Sequence, residues 1–199
     1  QSTAGINLKT AGLYEKFGYE ISITINSPDL KEPAIEFLKV VKEYIESGFV
    51  IAPGETLGYG CWVTKMEIND NKELIFFEQA PKSEEYIFGI SYTLRLWVEQ
   101  HSLCEKHGVS YHAPYFNQMI VVSEGVLEGD PAEGVRYPSP DHMSGWWITT
   151  DRYDGDTKNL KTVHMQEVAT RRPDLAKYLA LPFGYRFYSP SDETWRDAK

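Results

Sequence analysis

The sequence predicts an α+β protein of two packed lobes, each a mainly antiparallel sheet with flanking helices. Three observations lead there. Short segments alternate apolar and polar residues with the period of two that marks a half-buried strand, as in Tyr19 to Ile25. Two longer stretches carry apolar residues at three- and four-residue steps, the spacing of an amphipathic helix. Around Gly108 to Pro114 the chain changes character without a long Gly-, Ser- or Pro-rich linker, so the lobes are expected to pack on one another, with residues 1–110 in the first and 111–199 in the second.

In chain order, Ser27-Pro28-Asp29 ends the first strand, and Pro33 suits the first turn of a helix over about 33–47. Ile35, Leu38, Val41 and Ile45 form its expected apolar face, and Gly48 supplies a left-handed cap. Past the Pro53-Gly54 turn, Cys61–Ile68 and Glu73–Gln79 flank Asn69-Asp70-Asn71, a turn composition that predicts a hairpin. A short strand at Tyr86–Phe88 and a helix from about Ser91 to His107, stopped by Gly108, complete the first half. The second half begins with Tyr115–Ser123 as a buried strand, and Glu128 to Pro140 is expected to be mostly loop. Trp146–Thr150 is the next strand, a helix follows near Met165–Ala169 or Pro173–Leu179, and Tyr185–Tyr188 is the last strand. Ser191 to Lys199 is expected to be a solvated tail, with Trp195 free to dock.

A chain of 199 residues is long enough to bury a real core in one domain or two. The net charge is −9, and the first half is the more acidic. Such a surface repels nucleic acid and anionic membrane and speeds encounter with a basic protein. Thirteen Tyr and five Trp are many for one chain; most fill sheet cores, and some suit a binding surface. Two Cys, far apart and without C-x-x-C spacing, imply neither a disulfide framework nor a zinc ribbon, and a reducing compartment is expected. No apolar run approaches the ~20 residues of a membrane span and no signal peptide is visible, so a cytoplasmic location is expected, although the chain opens on Gln1 rather than Met.

Val122-Ser123-Glu124-Gly125-Val126-Leu127-Glu128-Gly129-Asp130-Pro131, then Ser144-Gly145-Trp146-Trp147, then Leu179-Ala180-Leu181-Pro182-Phe183-Gly184 run in an order that resembles the bacterial immunity protein thirty-three family. That resemblance spans roughly residues 115–188 and implies a small α+β protein that neutralises a toxin its own cell exports. The motif residues Gly129, Ser144, Gly145, Trp146, Pro182 and Gly184 would be framework. The family's acidic residue before S-G-W is displaced here, with His142-Met143 between Asp141 and Ser144. In the first half, Phe17-Gly18-Tyr19-Glu20-Ile21-Ser22-Ile23, Tyr44-Ile45-Glu46-Ser47-Gly48 and Ala52-Pro53-Gly54-Glu55 resemble the suppressor-of-fused family over roughly residues 14–107. Bacterial members of that family are also implied to be immunity proteins.

Other constellations have plainer readings. His101, Cys104 and His107 at three-residue steps, with His112 after them, have donors for a transition metal, but such steps drift by about 60° each and a helix C-terminus favours His by itself. Asp151, Asp154 and Asp156 around Gly155 look like a hard-cation loop, yet the closing Glu of a calcium loop is missing and an acidic turn explains them. No G-x-S-x-G elbow, Walker loop or dinucleotide fingerprint is present, so no enzyme, no metal and no cofactor is expected. The expected function is toxin neutralisation by steric and electrostatic occlusion, with a basic protein toxin as partner. A non-enzymatic peptide-binding module of suppressor-of-fused type is the alternative. Contact candidates are Tyr59, Trp147, Asp151, Tyr153, Asp154 and Asp156, with Glu55 beside Tyr59 on a Gly-rich stretch expected to be an exposed loop.

Overall fold

A computed structural model describes residues 5–198. The chain forms two compact units, one built from the residues up to Tyr59 with Val63–Ala80 and Glu84–Val98, the other from Gly60–Trp62, Pro81–Ser83 and Glu99 onward. Each contains a six-stranded sheet.

In the first unit β1 (Ile6–Lys9), α1 (Tyr14–Phe17), β2 (Glu20–Ile25), α2 (Lys31–Glu46), β3 (Thr56–Tyr59), β4 (Trp62–Ile68), β5 (Glu73–Gln79) and β6 (Tyr86–Phe88) precede helix α3 (Ser91–Lys106). The sheet order is β1-β2-β5-β4-β3, with β6 also on β5. β2 and β5 run parallel, while β1–β2, β4–β5 and β5–β6 are antiparallel. Helix α2 buries Ala34, Phe37, Val41 and Ile45 against Ile21, Ile23, Ile25, Leu74 and Phe76 of the sheet. Its buried stripe therefore runs through Ala34 and Phe37 rather than Ile35, which is only partly buried, because Phe37 closes edge-on against Phe76 and Tyr59. The hairpin turns at Asn69–Lys72, where Lys72 takes φ 59° and Asn69 caps the next strand through Glu73. Thr56–Tyr59, expected as an open loop, is instead strand β3 at the sheet end.

Glu20 gives the G-Y-E segment a physical role. Gly18 ends α1 in the left-handed conformation, and the returning chain brings Glu20 Oε1 onto the backbone N–H groups of Gly12, Leu13 and Tyr14 at 2.8, 3.0 and 3.1 Å. Those donors run from Gly12, before the N-cap Leu13, to Tyr14, the first residue of α1, so Glu20 caps the helix start from the neighbouring strand.

The second unit continues with β7 (Met119–Val122), β8 (Glu133–Arg136), β9 (Met143–Thr149), β10 (Lys161–His164), α4 (Met165–Arg171), α5 (Pro173–Ala176), β11 (Tyr185–Tyr188) and β12 (Glu193–Arg196). The sheet order is β10-β7-β9-β8-β11-β12, antiparallel throughout except for β7 with β9. Its inner side buries Ile120, Val122, Trp146, Ile148 and Phe187, and α4 and α5 add Met165, Val168 and Leu175 to the interior.

Three sequence expectations change here. Tyr115–Gln118 is a turn rather than strand, with Tyr115 71% exposed, because Gln118 folds back to accept the Tyr115 N–H. The stretch from Glu128 to Pro140 contains β8, hidden in sequence because Gly134 leaves room for the Phe187 ring, which a Cβ there would meet at 2.2 Å. The C-terminal residues are not a tail: β12 pairs with β11 as a sheet edge, and Lys199 lies outside the described residues.

Candidate interaction face

The Ser144-Gly145-Trp146-Trp147 segment is a kink in β9. Met119 faces Met143 across the parallel pair, yet Val121 faces Trp147, so two residues of β7 span four of β9 and the surplus bulges at Ser144-Gly145. Gly145 has φ 83°, and a Cβ would lie 2.2 Å from the Tyr137 carbonyl oxygen, whose own N–H donates to Gly145 O at 2.9 Å. Only glycine meets both demands. The kink sends Trp146 inward, fully buried with Nε1 donating to Leu179 O at 2.9 Å, and leaves Trp147 on the outer face, 38% exposed.

Two arginines that sequence reading passed over tie the motifs together. Arg136 is 2% exposed; its Nε donates to Ser144 O at 2.9 Å and its Nη1 to Leu181 O at 2.7 Å, Leu179 O at 3.3 Å and His112 O. It thereby joins the S-G-W kink to the L-x-x-P-x-G segment, and Gly184 N donates back to Arg136 O at 2.7 Å. Arg172, also buried, holds the V-L-E-G loop through Val126 O and Asp130 O at 2.7 and 2.8 Å, and pairs two-pronged with Asp174 at 3.0 and 2.9 Å. Arginine suits this because its fork supplies five donors in fixed directions. Gly129 takes φ 102° in the same loop and Gly184 φ 90° just before β11, and Pro182 follows Leu181, whose carbonyl accepts from Arg136. Through Arg136, the Ser144 carbonyl and the Leu179 and Leu181 carbonyls are held on one guanidinium.

The outer face of the second sheet is aromatic. Register aligns one row across five strands, Thr162–Val121–Trp147–Val135–Arg186, and Trp195 completes it on β12. A second row, Thr149–Glu133–Tyr188–Glu193, lies beside it. Trp195 and Tyr188 are each 40% exposed and Tyr137, at the end of β8, is exposed too. Trp147, Tyr137, Tyr153, Leu160, Val135 and Arg186 shape a shallow concavity of about 210 Å³ on this face.

The loop after β9 supplies the acidic groups. Asp151, Asp154 and Asp156 are exposed, and Tyr153 folds partly into the concavity. Asp154 accepts the Asp156 N–H at 2.9 Å and the Asn159 amide at 2.8 Å, bonds that hold its carboxyl below the usual range, while Asp156 accepts the Lys158 N–H. Asp154 and Asp156 are therefore turn formers that keep their outward charge, and Asp151 is exposed beside them. Nearby cations are partly committed: Arg186 pairs with Asp197 at 2.9 Å, and Arg152 with Asp130 at 2.7 Å and Glu124 at 3.4 Å, leaving Lys158 and Lys161 exposed.

Of the six sequence candidates, Trp147 and Tyr153 line one concavity and Asp151, Asp154 and Asp156 sit on the loop that carries Tyr153. Tyr59 belongs to the first unit, where it is half-buried against Phe37 and Trp97 and burial pushes its hydroxyl up to about 12. Glu55 is exposed before β3, its carboxylate accepting the Ala52 N–H. Trp195, Tyr188, Tyr137 and Arg186 belong to the face as well; alternation within Tyr185–Tyr188 sets Arg186 beside Tyr188, and alternation within Glu193–Arg196 sets Trp195 beside Glu193, but only register brings the strands together.

The helix residues weighed for metal point to separate partners. Cys104 Sγ donates to Ala180 O, His107 Nε2 meets Thr194 Oγ1 at 2.6 Å, and His101 stacks on Tyr111 at 3.9 Å. Among the described residues no three His, Cys, Asp or Glu side chains are grouped to hold a metal ion. Cys61 and Cys104 are free thiols, both raised by burial. No helix among the described residues is long and apolar enough to cross a membrane.

Compared with known proteins, the chain matches no curated protein and no solved structure. Its residues 99–197, which hold the kinked strand, both buried arginines and the aromatic face, match the family model of the Imm33-like domain, an immunity-protein family.

Proposed function

We propose that this protein is a bacterial immunity protein that binds one secreted antibacterial toxin and blocks it by covering its working surface. The match of residues 99–197 to the Imm33-like domain supports the class. One observation carries the site: Trp147, Trp195, Tyr188 and Tyr137 stand exposed on one sheet face beside the acidic loop of Asp151, Asp154 and Asp156. Large aromatics with polar tips are the anchors of protein interfaces, and a charged rim selects the partner and speeds encounter. With a net charge of −9, the complementary partner is a basic protein. Occlusion requires no catalytic group, metal or cofactor. The resemblance of residues 14–107 to the suppressor-of-fused family, carried by motifs alone, points to the same role.

The test is co-expression with the product of the adjoining gene. A stoichiometric complex that restores growth, and that weakens as salt rises, is the expected result. If the two proteins neither associate nor affect each other's toxicity, the reading fails, and peptide binding by a suppressor-of-fused-like module takes its place.

A further inference from the structure

A second, more polar cavity of about 460 Å³ lies in the same unit, bordered by His112, Gln118, Arg136, Ser139, Asp141 and Phe183 among others. At its wall sits a cation with no counter-ion. Nε and Nη1 of Arg136 are spent on four backbone carbonyls, those of Ser144, His112, Leu179 and Leu181. Nη2 makes no hydrogen bond to any described residue, and among the described residues no carboxylate pairs with the guanidinium. It is not a sealed-in orphan either, so the little surface that Arg136 keeps opens on the cavity. Burying an unpaired ion is costly, and carbonyl dipoles with the faces of Phe183 at 5.1 Å and Trp146 at 5.8 Å offset only part of it. Burial lowers the guanidinium to about 10, which still leaves it charged at neutral pH.

We propose that this cavity is a carboxylate-binding site, in which Arg136 Nη2 donates to the carboxylate and completes the charge pairing that the fold leaves open. An ionised acceptor on a largely desolvated donor forms the strong class of hydrogen bond. Asp141 on the wall disfavours a doubly charged phosphate more than a singly charged carboxylate. His112 on the wall adds a ring N–H for the second oxygen, while the Ser139 hydroxyl is spent on Met143 O at 3.1 Å. An Asp or Glu side chain of a partner protein and a free small carboxylic acid share this chemistry.

The experiment follows the Arg136 Nε–H and Trp146 Nε1–H NMR signals of the full chain during titration with sodium acetate, with sodium chloride at matched ionic strength as control. A blocked Gly-Glu-Gly peptide and its Gly-Gln-Gly counterpart form the second pair. Saturable shifts with acetate, at least tenfold weaker with chloride, are expected. Saturation by the Glu peptide but not the Gln peptide assigns the site to a protein side chain; saturation by acetate alone assigns it to a small acid. Arg136→Met removes four structural bonds and is expected to unfold, so Asp141→Asn is the informative variant: exposed and outside the core, it should tighten acetate about two- to fivefold by removing a like charge. Shifts that fail to saturate, or that chloride reproduces, overturn the proposal.

Discussion

Gly145 and Gly129 are both motif glycines at positive φ, yet their environments differ. A Cβ at Gly145 meets the Tyr137 carbonyl oxygen at 2.2 Å, whereas one at Gly129 meets nothing within 4 Å. Gly145→Ala is therefore expected to cost about 3 kcal/mol or more in a urea titration, and Gly129→Ala only the left-handed penalty of about 1–2 kcal/mol. Equal losses would show that the kink is not held by that contact. The buried arginines show the limit of reading at this scale: Arg is usually exposed, so nothing in Val135-Arg136 or Arg171-Arg172 marks one of each pair as interior. Glu20 also carries a pH signature. Desolvation raises its carboxyl, but the combined hydrogen bonds from Thr10, Tyr14, Gly12 and Leu13 prevail and lower it. Since its folded pKa lies below the unfolded one, its stabilisation is present above about pH 4.3 and is lost as pH falls through the folded value. Glu20→Ala is expected to cost about 1–2 kcal/mol at neutral pH, and less at pH 3.

Between elements, the opposite case is Glu78 on β5. Buried, its carboxylate accepts the Tyr92 N–H at 3.0 Å and the Thr93 N–H and hydroxyl at 2.7 and 2.8 Å, so it caps the start of α3 from the sheet. Burial raises its pKa, with those bonds opposing. A raised folded pKa means that its contribution is full below about pH 4.3 and is lost as pH rises through the folded value. Glu78→Ala leaves two first-turn N–H groups without their acceptor and is expected to cost about 2 kcal/mol, read as a lower urea midpoint. An unchanged midpoint would mean that water replaces the cap. The elements legible in sequence were those whose pattern was local: β2, α2, the β4–β5 hairpin and α3. β8 was missed because Gly134 brings no side chain of its own and takes its apolar partner, Phe187, from a distant strand.

For the molecule as a whole, acidity and the aromatic face act at different steps of association. Reversing the charge of Asp151, Asp154 and Asp156 together is expected to slow association about tenfold and flatten its salt dependence, with thermal stability changed little because all three are exposed. Loss of the turn bonds at Asp154 and Asp156 would be confined to the loop. Trp147→Ala with Trp195→Ala is expected to speed dissociation by a hundredfold or more, since central aromatics carry about 2 kcal/mol or more each. Full affinity in that double variant would remove the sheet face from the interface.

The sequence by itself determined the α+β class, the opposite facing of Trp146 and Trp147, and the glycine-bearing motifs, because periodicity and backbone permissiveness are local properties. Tertiary structure decided the rest. Which aromatics share a face depends on register between strands far apart in sequence, such as Trp147 opposite Val135 and Arg186 opposite Trp195. Whether an arginine is interior depends on carbonyls that converge on it from three segments, and no spacing rule along the chain contains that information.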